Sequence, residues 1–235
     1  MIAETPAGLF VVKLRGAAHG TASLVAEVIV AGLAEAVGLQ VPARALIAFD
    51  ETLGSEDRRD ELADLLSASH GLNLGFQFLA QARDVQARDL AALDVETATR
   101  VVWLDWLVMN PDRTVRNPNL LWSDNGIWLI DHGSALGFHH NWPRVTEQSP
   151  ERPFSLASHA LLARAAGLPA LHERMTRELS RAALRGAVSA VPDDFLVGMD
   201  RAHRSLMTLP ARREAYVAFL WKRLHRARPA ARLAS

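Results

Sequence analysis

Residues 104–133 read LDWLVMNPDRTVRNPNLLWSDNGIWLIDHG, and this stretch decides the fold. The apolar run at 94–109 opens on Asp94, a helix-capping residue, with Thr97 in the first turn, and predicts a helix. Residues 110–118 form a polar loop bounded by Pro111 and Pro118. Leu120–Leu121–Trp122 and Ile127–Trp128–Leu129–Ile130 flank Ser123–Asp124–Asn125–Gly126. Asn-Gly between apolar strands is the strongest short-range hairpin signal. A hairpin returns the chain to its starting point, so the loop carrying Asp112, Asn117 and Asn119 must neighbour Asp131. Two carboxylates with one or two side-chain amides, and no thiol, form a hard-oxygen set. Such a set suits Mg²⁺ rather than Zn²⁺, and a Mg²⁺ with few protein ligands shares its shell with water and substrate phosphates.

An Asp, an Asn five residues on, a hairpin and an Asp-x-Gly form the layout of protein-kinase-like catalytic centres. In that layout the first Asp orients the acceptor hydroxyl, while the Asn and the second Asp hold metal. Spacing favours Asn117 as the Asn.

Working outward, residues 9–14 (LFVVKL) read as a strand, 21–37 as a helix ended by Gly38, and 41–49 as a second strand. Residues 55–70 read as a polar helix with Leu62, Leu65 and Leu66 as its apolar stripe, and 72–79 as a further strand. Alternation puts Lys13 on the face of Leu9 and Val11, which we expect to be the inward one. From Phe154 onward the chain reads all-helical in four segments, with Pro169, Pro192 and Pro210 at three boundaries. The expected division is a nucleotide lobe at 1–83 and a mostly helical catalytic lobe at 84–235.

Composition sets the limits. Lys plus Arg and Asp plus Glu both number 26, so no global field advertises nucleic acid or membrane. With no cysteine, disulfide scaffolds, thiolate metal sites and cysteine nucleophiles are excluded. Residues 1–10 lack the positive start of a signal peptide, and no apolar run reaches the roughly 18 residues of a membrane span. A cytoplasmic protein without membrane contact is the expectation. The only lysines are Lys13 and Lys222, so nearly every cation is Arg. Residues 212–232 hold seven Lys/Arg and one acid, Glu214. Their stripe of Val217, Leu220, Trp221 and Leu224 predicts a docked amphipathic helix at 211–226. Its basic side reads first as a solvated face and second as a contact for an acidic partner. His132, His139 and His140 lack the i, i+4 spacing of a zinc hydrolase and read as surface or supporting groups. Trp103, Trp106, Trp122 and Trp128 read as core.

Residues 104–113, 117–121 and 130–133 resemble the HipA-like kinase family and, more distantly, the phosphatidylinositol 3- and 4-kinase core. Val11–Val12–Lys13, Glu27 and Gly38–Leu39–Gln40–Val41–Pro42 resemble the family's nucleotide-lobe order. Residues 71–76 resemble the segment leading to the adenine hinge. The resemblance implies a bilobal α+β protein-kinase-like fold using ATP and Mg²⁺. Lys13 would bind the α/β-phosphates and Glu27 would hold Lys13. Asp112 would orient the acceptor, Asp131 would be the principal metal ligand, and Asn117 or Asn119 would make the second metal contact. The implied reaction is phosphoryl transfer to a hydroxyl, foremost Ser/Thr of a protein. A small-molecule or lipid kinase and a catalytically impaired, nucleotide-binding pseudokinase are the alternatives.

Two departures qualify the match. Thr114 stands where the family has histidine. A first strand with its glycine-containing phosphate lid is expected to be missing or vestigial, and residues 16–20 offer backbone N–H groups to a phosphate instead. The resemblance also leads us to expect these residues to lack the extra N-terminal subdomain of full-length HipA-type toxins.

Overall fold

A four-stranded antiparallel sheet, ordered β1-β2-β4-β3, forms one side of the molecule. Its strands are β1 (Ile2–Thr5), β2 (Gly8–Lys13), β3 (Arg44–Phe49) and β4 (Gly71–Gln77). The computed structural model describes residues 1–17, 19–50, 60–123, 126–203 and 207–229. A first strand is therefore present, contrary to the sequence expectation. It pairs Ile2 with Val11 and Thr5 with Gly8. Thr5 Oγ accepts from Ala7 N and donates to Gly8 O, which closes the turn without a long lid.

Each face of this sheet has its own role. Phe10, Val12, Leu14 and Phe49 are buried, and Val12, Leu14 and Phe49 pack with Leu66. Leu66 belongs to α2 (Asp60–Ser67). The expected helix there began at 55, and residues 55–59 lie outside the described set. Leu9 and Val11 are exposed, and Lys13 shares their face. The expectation that this face points inward is thus corrected. The buried residues of β2 are Phe10 and Val12, and the Lys13 face looks into a cleft.

Helix α1 (Gly20–Ala36) is buried almost all round, from Leu24 to Ala34. A helix apolar on every side has to be covered on every side. It packs against α6 (Arg181–Ser189) and α7 (Asp193–His203). Gly32 lets Ala187 approach so closely that a Cβ at Gly32 would lie 3.0 Å from the Ala187 methyl. Gly38, at φ +76°, ends the helix as anticipated, and Leu39 N returns to Ala34 O at 2.9 Å.

Two short elements, β5 (Arg83–Asp84) and α3 (Ala87–Ala92), lead into α4 (Val95–Val108). Asp94 caps α4 by accepting from Thr97 N at 2.8 Å. Strands β6 (Leu120–Ser123) and β7 (Gly126–Leu129) form the hairpin and, with β5, a second sheet ordered β5-β6-β7. The turn residues Asp124 and Asn125 lie outside the described set. Leu120, Ile127 and Leu129 face the core. Leu129 N donates to Gln40 O at 2.9 Å, tying the hairpin to the segment after α1.

The expected four C-terminal helical segments are α5 (Leu168–Glu178), α6, α7 and α8 (Leu209–Arg226). Residues 154–167, expected to be helical, are turns and loop instead. Trp103 and Trp106 are core, whereas Trp122 and Trp128 are only half-buried. Helix α8 corrects the picture of a uniformly solvated basic face. Arg212 and Arg223 are fully buried, the first over the Trp142 ring and the second over Trp106. Arg223 also donates to the carbonyls of Trp106, Pro150 and Arg152. Arg213 pairs with Asp193, and Lys222 with Glu147. Among the described residues, no helix is long and apolar enough to cross a membrane.

Candidate active site

The cleft between the two sheets holds a cavity of about 620 Å³. Val11, Phe76, Phe78, Leu121 and Ile130 give it apolar walls, and Lys13 and Asp131 stand at one end. Apolar walls with a few convergent charges are the usual make-up of a small-molecule site.

Four non-glycine residues among those described have left-handed backbone, Met109, Asn119, Asp131 and Leu136, and Asp131 lines this cavity. That conformation costs an L-residue roughly 1–2 kcal/mol, and such strain concentrates at functional sites. At Met109 it ends α4 and throws the chain into the Asn110–Arg113 loop. At Asp131 it turns the chain sharply away from β7. Gly133 follows because α1 passes close by; a Cβ there would lie 3.2 Å from Ser23 Cβ and 3.4 Å from Glu27 Oε1.

Lys13, Glu27 and Asp131 meet. Lys13 Nζ is 2.6 Å from Glu27 Oε1 and 2.5 Å from Asp131 Oδ1. Burial works against the Lys13 charge, but the two carboxylates outweigh it and raise its pKa above the usual lysine value. Glu27 is wholly buried, and burial pushes its carboxyl above the usual range against the pull of Lys13. Its other oxygen accepts from His132 N at 2.9 Å. The Asp131 side chain is about 50% exposed and remains accessible from the cleft.

Asp112 forms a second group with both asparagines. Its Oδ2 accepts from Asn117 Nδ2 at 3.2 Å and from Asn119 Nδ2 at 3.0 Å. Asn117 is exposed on the loop, whereas Asn119 is buried at the mouth of β6. Asp112, Asn117, Asn119 and Asp131 supply only oxygen donors, with accessible atoms at Asp131 and Asn117. This donor set fits Mg²⁺ shared with phosphates. Among the described residues, no three His, Asp or Glu side chains cluster as a metal cage.

A buried group beneath the loop had no role in the sequence reading. Asp105 Oδ2 accepts from Arg113 Nε at 2.6 Å and from His159 Nε2 at 2.9 Å, and its Oδ1 accepts from Asn110 Nδ2 at 2.9 Å. Burial alone would raise the Asp105 pKa, yet the Arg113 charge and the His159 hydrogen bond hold it far below the usual carboxylate range. Asn110 Oδ1 accepts from Asp112 N at 3.1 Å, passing the order on to Asp112. His132 is fully buried, not a surface group, and burial with the nearby Arg113 charge lowers its pKa to about 3. His139 is likewise buried, against the Tyr216 hydroxyl. A charged residue interrupting an apolar helix, as Asp105 does in WLDWLV, is the one sequence signal that marks this group.

Thr114, at the family's histidine position, accepts from Asn117 N through its hydroxyl at 3.2 Å and pairs in a β-bridge with His159. Gly16, Ala17, His19 and Gly20 line a different cavity, of about 580 Å³, lined also by His140 and Met199.

Comparison with known proteins agrees with this architecture. The family model described as HipA-like kinase matches residues 6–214. No curated protein matches the chain. Among solved structures, the chain is similar to the Helicobacter pylori proinflammatory kinase CtkA, at 12% identity and a TM-score of 0.50, over 95% of this chain and 90% of that one. With a bilobal kinase-like fold and a family match over most of its length, the chain belongs to the HipA-like kinase family.

Proposed function

We propose that this kinase transfers the γ-phosphoryl group of Mg-ATP to a Ser or Thr hydroxyl of a protein. The observation that carries the reading is the convergence of Lys13, Glu27 and Asp131 at the end of an apolar cleft, next to the Asp112 loop. Residues 1–83 act as the nucleotide lobe and 84–235 as the catalytic lobe. A cytoplasmic setting, which supplies ATP and Mg²⁺, is part of the reading.

The roles follow from chemistry. The apolar walls of Val11, Phe76 and Leu121 receive the adenine ring. Lys13 holds the α/β-phosphates, with Glu27 fixing its ammonium. Asp131, with Asn117 or Asn119, holds Mg²⁺, which when bound neutralises phosphate charge. Asp112 accepts a hydrogen bond from the acceptor hydroxyl and takes its proton. The acceptor oxygen bonds to the γ-phosphorus as the bond to the β,γ-bridging oxygen breaks, and ADP leaves with that electron pair. Positioning and charge stabilisation account for nearly all catalysis of this kind.

Incubation with γ-labelled ATP and Mg²⁺, alone and with cell lysate, tests the reading. Label on Ser or Thr of protein is the expected result. Label in lipid or small organic products points to the small-molecule alternative, and nucleotide binding with no transfer points to the impaired form.

A further inference from the structure

Arg113 spends each of its guanidinium nitrogens on a different part of the site. Nε pairs with Asp105 on α4 at 2.6 Å. Nη1 donates to the carbonyl of Asn119, where β6 begins, and to Pro118 O at 3.3 Å. Nη2 faces His132 Nδ1 at 3.3 Å. Arg113 is itself 1% exposed and follows Asp112 directly, while His132 follows Asp131 directly.

An arginine has donors only, so His132 Nδ1 has to be the acceptor in this contact, and the ring proton resides on Nε2. That Nε2 is buried and has no hydrogen-bond partner among the described residues. For packing alone, an apolar ring of the same shape would serve better, because a stranded buried donor costs about 1–3 kcal/mol. The polar feature of His132 that has a partner is the Nδ1 acceptor. The backbone N–H of the same residue binds Glu27, which binds Lys13. Arg113 and His132 therefore stand where the Asp112 loop, the Asp131 turn and the Lys13–Glu27 pair come together.

We propose that Arg113 and His132 are a positioning pair that locks the Asp112 loop and the Asp131 turn into one register, so that the acceptor-orienting and metal-holding carboxylates keep a fixed relation. The proposal rests on the kinase reading of the site. Neither side chain need touch substrate; the pair acts through Asp112 and Asp131. Arg suits the task because its planar fork reaches four acceptors at once, which a lysine ammonium on a single stem cannot do.

The test compares full-length wild type with His132→Phe, His132→Asn and Arg113→Lys. ATP binding is titrated with Mg²⁺ and with EDTA, and thermal midpoints are recorded. Phe keeps the ring shape and removes Nδ1, while Asn places an amide oxygen near the Nδ1 position. His132→Phe and Arg113→Lys are expected to bind metal-free ATP like wild type and to need about tenfold more Mg²⁺ for half-maximal binding. His132→Asn is expected to recover to within about threefold of wild type, a rescue that a mere packing role would not produce. A wild-type Mg²⁺ requirement in His132→Phe, or equal impairment of the Asn and Phe variants, overturns the proposal. If His132→Phe does not fold, a wild-type Mg²⁺ requirement in Arg113→Lys overturns it. Nucleotide binding by wild type that ignores Mg²⁺ is a distinct result, which overturns the kinase reading and this proposal with it.

Discussion

The Lys13 ammonium lies between two carboxylates, 2.5 Å from Asp131 and 2.6 Å from Glu27, joining a strand, a helix and a turn 118 residues further along the chain. One compact cation thereby neutralises the buried Glu27 and steadies the exposed Asp131. Nucleotide binding would exchange the Asp131 contact for phosphate oxygens while Glu27 keeps its hold.

Lys13→Arg should keep the fold and lower phosphoryl transfer by about tenfold or more. The guanidinium is wider and flatter than the ammonium it replaces, and a small displacement of a phosphate contact is expensive in rate. Glu27→Gln should give a milder loss, because the amide can still hydrogen-bond the ammonium. Turnover and thermal midpoint measured together decide the matter. Full activity in a folded Lys13→Arg protein would remove the phosphate-contact role.

Asp112→Asn should bind ATP within about threefold of wild type and lose transfer by at least about a hundredfold. A group that orients the acceptor acts mainly in the transition state. Comparison of nucleotide Kd with kcat separates the roles. Equal losses in both would mark Asp112 as structural or metal-binding.

Asn117 and Asn119 share a carboxylate oxygen but differ in setting, and their alanine variants should differ accordingly. Asn117 is exposed, so Asn117→Ala should raise the Mg²⁺ requirement while leaving the thermal midpoint within about 1 °C. Asn119 has φ +49° and is buried. Asparagine tolerates that backbone better than alanine does, so Asn119→Ala should lower the midpoint by roughly 2–4 °C for each kcal/mol lost. Asp131→Asn serves as the comparator and should weaken Mg²⁺-dependent binding most. An unchanged Mg²⁺ requirement in Asn117→Ala, with a raised one in Asn119→Ala, would identify Asn119 as the ligand instead.

Stability should fall on acidification below about pH 6.5, the ordinary histidine pKa. His172 is buried, with its Nδ1 accepting from Trp103 Nε1, and burial with the Arg228 charge lowers its pKa to about 4. As pH drops through 6.5, the unfolded chain takes up a proton that the folded chain refuses until about pH 4. Folding stability is therefore complete above the unfolded pKa and is lost between these values, at about 1.4 kcal/mol per pH unit. His132, shifted the same way, adds to the effect. His172→Gln keeps an acceptor for Trp103 without titrating, so it should flatten the difference between urea midpoints at pH 7 and pH 5. An unflattened difference would show that His172 is already protonated in the folded protein.

The β6–β7 hairpin was readable from the sequence because every signal that defines it is local. Asn-Gly between apolar strands, Asp94 capping a helix, and Asp131 at the exit of β7 each depend on a few neighbouring residues. Hairpin closure alone put the loop of Asp112, Asn117 and Asn119 beside the Asp131 turn, and Ile130 N donates to Asn119 O at 3.1 Å. The pairing of Lys13 with Glu27 was expected from the resemblance, in which the helix Glu holds the strand Lys.

Tertiary packing decided the rest. Alternation in β2 put Lys13 with Leu9 and Val11, but could not say which face was covered. The even-numbered face was, because α2 packs on it and the cleft lies opposite. The basic segment at 212–232 read as a solvated face, yet Arg212 and Arg223 are interior, since their partners, Trp142, Trp106 and the carbonyls of Pro150 and Arg152, arrive from distant parts of the chain. Asp105, Arg113, His132 and His159 carry no local signature of their union. Sequence determined which groups this protein brings to its site, through rules that act over one turn or one hairpin. Only the folded chain decided how they are held, because burial and hydrogen-bond partnership are set by residues far apart in sequence.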